Sequence, residues 1–287
     1  MLDKVLFPTD FSEVSESILE WLPSLNCLGI EELVLVRVIN LNKVVGVASG
    51  FNVDTWIKSE EEEGRKKLVE WVNWLKEQGI NAGFVTPIPR GDPVWEIVKT
   101  AEDENASFIV IGSKGKGILK ETLLGSVSEG VVRRSKVPVM LVKPKYFKKE
   151  NGSLDCDMNR KPFDKILFAY DFSEYSRSII EYVKHAAISG GKEVVVVNVK
   201  EDAEHEDKDR EELMASARKE LESQDIRVKT VMKKGKPHKE IIKTAKEENA
   251  SMIMMNSRGL GFMGAVLGST TDSVVRHSEV PVYVFKN

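Results

Sequence analysis

Cysteine is scarce in this chain. Cys27 and Cys156 are the only two in 287 residues, too few for a disulfide framework or a zinc quartet. Neither has the basic or histidine neighbour in sequence that would activate a nucleophilic thiol. Histidine is almost as sparse, and His185, His205, His238 and His277 form no close cluster, so no metal site is expected. The acidic stretch Glu201 to Asp207 reads as a solvated helix entry rather than a cation site. No apolar run approaches the ~18 residues that span a bilayer. Met1-Leu2-Asp3-Lys4 leads straight into a strand-like segment without a signal-peptide pattern. A charge excess is missing too: 42 basic and 45 acidic side chains leave a net charge of −3. That excludes a global basic field that would collect nucleic acid or anionic membrane. The phosphoryl-transfer motifs are absent, whether G-x-x-x-x-G-K-[ST], the H-R-D and D-F-G pair, or a histidine-containing adenylyl-transfer signature. The expectation is a cytoplasmic protein with no nucleic-acid or membrane partner and no catalytic residue set.

What is present is a duplication. Lys4-Val5-Leu6-Phe7-Pro8-Thr9-Asp10-Phe11-Ser12-Glu13 recurs as Lys165-Ile166-Leu167-Phe168-Ala169-Tyr170-Asp171-Phe172-Ser173-Glu174, an offset of 161. Ile97 to Ala101 recurs as Ile241 to Ala245 at offset 144, and Val137-Pro138-Val139 as Val280-Pro281-Val282 at offset 143. The shrinking offset places an extra stretch, about Leu41 to Trp56, in the first copy, and a one-residue loss between Gly259 and Gly268. Length alone suggests two domains. The boundaries read as 1–143, a polar linker 144–162, and 163–287.

Within each copy, short apolar strands alternate with amphipathic helices. Val5 to Phe7, Leu33 to Ile39, Ala82 to Ile88, Phe108 to Ile111 and Val137 to Val142 read as strands of the first copy. Ile166 to Phe168, Val194 to Val199, Val228 to Met232, Met252 to Met255 and Val280 to Phe285 are their counterparts. Ser12 suits a helix N-cap, Glu60 to Glu63 a helix opening on the dipole's positive end, and Asp92-Pro93 a cap followed by a first helical residue. Continuous apolar strands between helices imply an α/β fold with a parallel sheet covered on both faces.

In such a sheet, ligands sit beyond the carboxyl ends of the strands, where strand order reverses. Pro8-Thr9-Asp10 leaves the first strand there. Ile111-Gly112-Ser113-Lys114-Gly115-Lys116-Gly117 leaves the fourth, and Gly125-Ser126-Val127 opens the next helix. Backbone amides of a glycine turn and a helix start can cradle phosphate, with Lys114 or Lys116 as candidate cations. An ionised Asp10 accepts hydrogen bonds from amino or hydroxyl groups. The competing local readings are a capping box, Ser126-x-x-Glu129 and Ser269-x-x-Asp272, and Asp10 as a helix-entry acceptor.

The pattern Gly112-x2-Gly115-x9-Gly125-Ser126, with Pro8-Thr9-Asp10-Phe11-Ser12 upstream and Val137-Pro138-Val139 at the last strand, resembles the universal stress protein family over nearly the whole chain. The resemblance implies two tandem Rossmann-like domains, each with a five-stranded, mostly parallel sheet flanked by helices. It implies an adenine-nucleotide-binding stress-response regulator, holding ATP or AMP, with Mg as an optional companion. At most, slow ATP hydrolysis would accompany binding; a weak ATP hydrolase and a non-binding assembly module are the alternatives. Carried over residue by residue, the resemblance implicates Asp10, Val38, Gly112, Gly115, Gly125, Ser126 and Val127, and Pro8, Thr9 and Ile111 at the same strand ends complete the candidate site. The second copy offers Ala169, Asp171, Val199, Asn256, Gly259, Gly268, Ser269 and Thr270. There Asn256 replaces the first glycine, so the first copy is expected to bind more tightly. The resemblance also implies association through the last strands, Val137 to Val142 and Val280 to Phe285, as an intrachain pseudo-dimer or a homodimer. Trp56, in the extra stretch, is a candidate cover for the site.

Overall fold

A computed structural model describes residues 3–44, 52–113, 124–143, 145–148, 154–157, 161–201, 207–222, 226–257 and 267–286. The first copy runs β1 (Lys4–Thr9), α1 (Glu13–Trp21), β2 (Glu32–Arg37), β3 (Ile39–Asn40), α2 (Val53–Glu77), β4 (Ala82–Phe84), β5 (Arg90–Gly91), α3 (Pro93–Asp103), β6 (Phe108–Gly112), α4 (Ser126–Arg134) and β7 (Val139–Val142). Two strands lie in the connector, β8 (Lys145–Lys148) and β9 (Leu154–Asp157). The second copy runs β10 (Lys165–Ala169), α5 (Glu174–Ser178), α6 (Ile180–Ser189), β11 (Glu193–Lys200), α7 (Asp207–Leu221), β12 (Arg227–Lys234), α8 (Pro237–Glu247), β13 (Met252–Asn256), α9 (Ser269–His277) and β14 (Val282–Phe285).

The ten main strands form one sheet in the order β12-β11-β10-β13-β14-β7-β6-β1-β2-β4. Neighbours are parallel except at the centre, where β14 and β7 pair antiparallel with Tyr283 opposite Met140. Two five-stranded parallel sheets of identical order are therefore joined edge to edge within the chain. Side-chain alternation gives each face its own core. Val5, Phe7, Leu33, Leu35, Phe108 and Val110 face the layer of α1 and α2, with their second-copy equivalents toward α6 and α7. Leu6, Val34, Val36, Ile109 and Ile111 face the opposite layer with Ile97 and Ala101 of α3 and Val131 of α4.

Local chemistry sets several boundaries the hydrophobic pattern misses. The helix expected to open near Glu60 begins at Val53, because the Asn52 side chain accepts the Thr55 amide at 3.0 Å as N-cap. Glu60 and Glu61 lie mid-helix and reach Arg37 (3.2 Å) and Arg90 (2.5 Å). The strand expected over Ala82 to Ile88 stops at Phe84, since Pro87 and Pro89 have no N–H for a ladder. The second strand breaks at Val38, where the chain changes partner from β4 to β5. Trp56 is half-buried against the core rather than over the site. The connector is more than a linker, because β8 and β9 pair antiparallel, Tyr146 opposite Cys156.

Helices α4 and α9 meet across the seam in a ring of four charges. Arg133 reaches Glu129 (3.1 Å) and Asp272 (2.6 Å); Arg276 reaches Asp272 (3.0 Å) and Glu129 (2.5 Å). The Asp272 and Glu129 carboxylates raise the Arg276 pKa further above its already high value. Helices α3 and α4 approach closely at Gly130, where a Cβ would stand 2.6 Å from a Val94 methyl carbon. That contact holds α4 against the layer that walls the site.

Candidate functional site

The three strand ends flanking the reversal of strand order, β6, β1 and β2, open into a cavity of about 360 Å³. Pro8, Thr9 and Asp10 come from β1, Ile111 and Gly112 from β6, Val38 from the break after β2, and Gly125, Ser126 and Val127 from the start of α4. The fold thus gathers nine of the residues expected at the first-copy site. Gly115, with Lys114 and Lys116, lies outside the described residues.

The helix start at α4 differs from the capping-box reading. Its N-cap is Gly125, which makes no side-chain cap bond, and Ser126 is already the first helical residue. Glu129 is turned to Arg133 and Arg276 instead. Among the described residues no side chain caps the first amides of α4, a geometry that suits an anion. Ser128, one turn in, donates its hydroxyl to the Gly112 carbonyl at 2.6 Å and ties α4 to the end of β6. Asp10 does serve helix entry: its Oδ1 accepts the Ser12 amide (3.0 Å) and the Ser15 hydroxyl (2.9 Å). These bonds fix its carboxylate at the cavity wall. Phe11 takes φ 56°, a left-handed turn that carries the chain from β1 into α1.

Several lining residues escaped sequence reasoning, namely Ser15, Val36, Arg37, Asn40, Lys43, Pro93, Ile97 and Ser128. Asn40 caps a 3₁₀ turn over Leu41–Lys43 by accepting the Asn42 amide at 3.0 Å. Asn42 donates to Asp92 at 3.3 Å, and Asp92 in turn caps α3. This rim belongs to the first copy's own insertion, so the duplication could not flag it. The Arg90-Gly91-Asp92-Pro93 segment was the available signal. Arg37 is spent on Glu60 and lies over the Phe11 ring, 5.4 Å from its centroid.

The second copy is built differently at the same place. β11 and β12 run on together through Lys200 and Lys234, with no break like that at Val38. Arg210 of α7, only 4% exposed, sets Nε and Nη2 on the Asn198 carbonyl oxygen at 3.1 and 2.6 Å. Asn198 donates on to the Tyr170 carbonyl (2.8 Å). Asp171 accepts both the amide and the hydroxyl of Ser173 (3.1 and 2.6 Å). Asn256 is 6% exposed, and both polar atoms of its side chain lack a partner among the described residues. Thr271 bonds the Asn256 carbonyl at 2.8 Å, copying Ser128. Gly268, not Ser269, is the N-cap of α9, again without a side-chain bond, and Thr270 follows in its first turn. Ala169 and Val199 are half-buried at their strand ends; Gly259 and Arg258 lie outside the described residues. Among the described residues no three His, Cys, Asp or Glu side chains gather as a metal site, and no helix is long and apolar enough to cross a membrane.

Comparison with known proteins agrees with this architecture. A universal stress protein from Methanocaldococcus jannaschii is 39% identical over 160 residues, half of this chain and 97% of the relative. A mycobacterial universal stress protein, from Mycobacterium tuberculosis, is 26% identical over 245 residues, covering 80% of this chain and 79% of its own length. The crystal structure of a universal stress protein from Archaeoglobus fulgidus superposes with a TM-score of 0.78 at 38% identity, covering 100% of this chain and 99% of that one. The profile of the universal stress protein family matches twice, over residues 1–143 and 162–286, and the chain belongs to that family.

Proposed function

We propose that the first copy binds an adenine nucleotide, ATP or AMP, and that the protein works as a cytoplasmic regulator whose partners read the loaded state. The observation that carries this reading is the switch-point cavity itself. A base ring fits the apolar wall of Val36, Val38, Ile97 and Ile111, a ribose hydroxyl suits the Asp10 carboxylate, and phosphates suit the open amides of α4 beside Ser126. Mg would accompany a triphosphate through the phosphates rather than through a protein cage.

The two copies act as separate domains, 1–143 and 163–287, of unequal affinity. Arg210, Asn198 and Asn256 crowd the second copy's strand ends with polar side chains where the first copy has an open crevice. Because β7 and β14 already pair inside one chain, a homodimer would have to use another surface. The test is nucleotide titration of the intact chain by thermal melting. Ligand at 100 times its dissociation constant should add ~2.7 kcal/mol. Asp10→Ala should abolish the shift and Asp171→Ala should leave most of it. Failure of ATP and AMP to stabilise the protein would overturn the reading; a larger loss with Asp171→Ala would overturn the asymmetry.

A further inference from the structure

The seam between the copies holds a second cavity, of about 570 Å³. Trp21, the last residue of α1, and Val142 of β7 wall it from the first copy; Ile242 and Ala245 of α8 wall it from the second. Its rim carries Lys143, Lys246 and the Glu279 carboxylate, with Asn249, Ser251 and Ser278 as further polar lining. The Lys143 ammonium donates to the Ser278 carbonyl at 2.7 Å. Lys246 reaches Glu279 only at 4.0 Å, with both side chains largely exposed. The size falls in the ~300–1,000 Å³ range of small-molecule sites.

The duplication supplies an internal control for this cavity. At the equivalent seam, Phe285 stands for Val142 and Tyr182 for Trp21, at offsets 143 and 161. There the Phe285 ring packs on Tyr182 (centroids 5.7 Å) and on Tyr283 (4.6 Å). The rim pair is reversed in sign: Glu102 stands for Lys246 and Lys136 for Glu279, and those two pair at 2.9 Å. One end of the seam thus has an aromatic ring at this point and a rim ion pair at 2.9 Å. The other keeps an aliphatic residue at the same point, and its ammonium is only loosely engaged.

We propose that the cavity between α1, β7 and α8 is a ligand site for a small apolar acid, a carboxylate or sulfonate on an aromatic or branched-aliphatic body. The body lies against Trp21, Val142, Ile242 and Ala245, and the acid group meets the Lys246 ammonium. The site stands independently of the crevice, although α1 touches both, through Ser15 at one end and Trp21 at the other.

The experiment is fluorescence titration of the full chain with 8-anilinonaphthalene-1-sulfonate and with its uncharged analogue N-phenyl-1-naphthylamine. Saturable one-site binding of both is expected. Val142→Phe, which installs the residue already accommodated at the other seam, should weaken both probes by at least ~10-fold, about 1.4 kcal/mol, with an unchanged urea midpoint. Ala245→Leu fills the cavity from the opposite wall and should do the same, so the result does not hang on one variant folding. Lys246→Gln should weaken the sulfonate roughly two- to five-fold and spare the analogue. No saturable binding at millimolar probe, or undiminished binding by both filling variants, overturns the site. An equal effect of Lys246→Gln on the two probes overturns the preference for an acid.

Discussion

Replacing Tyr283 by Phe should stabilise the protein, and increasingly so in alkali. Tyr283 sits in β14 at the seam, fully buried, with its ring beside Phe108 (5.5 Å) and Phe285 (4.6 Å). Its hydroxyl is buried and has no hydrogen-bond partner among the described residues. An unsatisfied buried polar group costs ~1–3 kcal/mol. Phe keeps the ring contacts and removes that cost, while losing a little packing where the oxygen was. The expected net change at pH 7 is a gain of about 0–2 kcal/mol. Burial also pushes the phenol pKa well above its ordinary value. The sign then follows: below the unfolded value of ~10 both states keep the proton. Above it only the unfolded chain loses the proton, so the native state loses ~1.4 kcal/mol per pH unit. Tyr283→Phe removes this component. Urea unfolding of both proteins at pH 7, 9, 10 and about 11 measures the difference, in which other titrating groups cancel. Destabilisation by more than ~1 kcal/mol at pH 7 would mean that the hydroxyl is satisfied. A wild-type-to-variant difference that stays flat from pH 9 to about 11 would refute the buried-phenol argument.

Three further outcomes follow from the geometry. Ser128→Ala and Thr271→Ala each remove a buried bond to the carbonyl at the end of β6 or β13 and should cost ~1 kcal/mol apiece in chemical denaturation; a neutral result would mean those carbonyls find other donors. A double-mutant cycle on Arg133→Gln and Asp272→Asn should return a coupling of ~0.5–1 kcal/mol that shrinks as salt is raised; a coupling of zero at low salt would leave the ring without energetic weight. Asn256→Gly removes an amide that has no partner among the described residues and should be neutral to ~1 kcal/mol stabilising after glycine's entropic cost; a clear loss of stability would reveal a buried water or other partner on that side chain.

The two copies have diverged at matching positions. Both copies keep the acidic residue after the first strand and the uncapped helix start after the fourth. What differs is the material between: a capped 3₁₀ rim at residues 41–43 in one, and a buried arginine on Asn198 in the other. Helices α4 and α9, each opening beside one copy's strand ends, are joined across the seam by the four-charge ring.

From the sequence alone one could read the duplication, the strands and their parallel packing, because repeated segments and short apolar runs are local properties of the chain. The positions of Asp10, Gly112, Gly125 and Ser126 at strand ends and helix starts were legible for the same reason. Tertiary structure decided what depends on partners distant in the chain. That Glu129 pairs with Arg276, 147 residues away, rather than with the helix start could not be read locally. Whether the last strands meet within one chain, and whether Val142 leaves a space that Phe285 fills at the other seam, turned on how the two copies dock. Pairwise contacts across 140 residues leave no periodicity in a single sequence, and only the folded chain brings those side chains together.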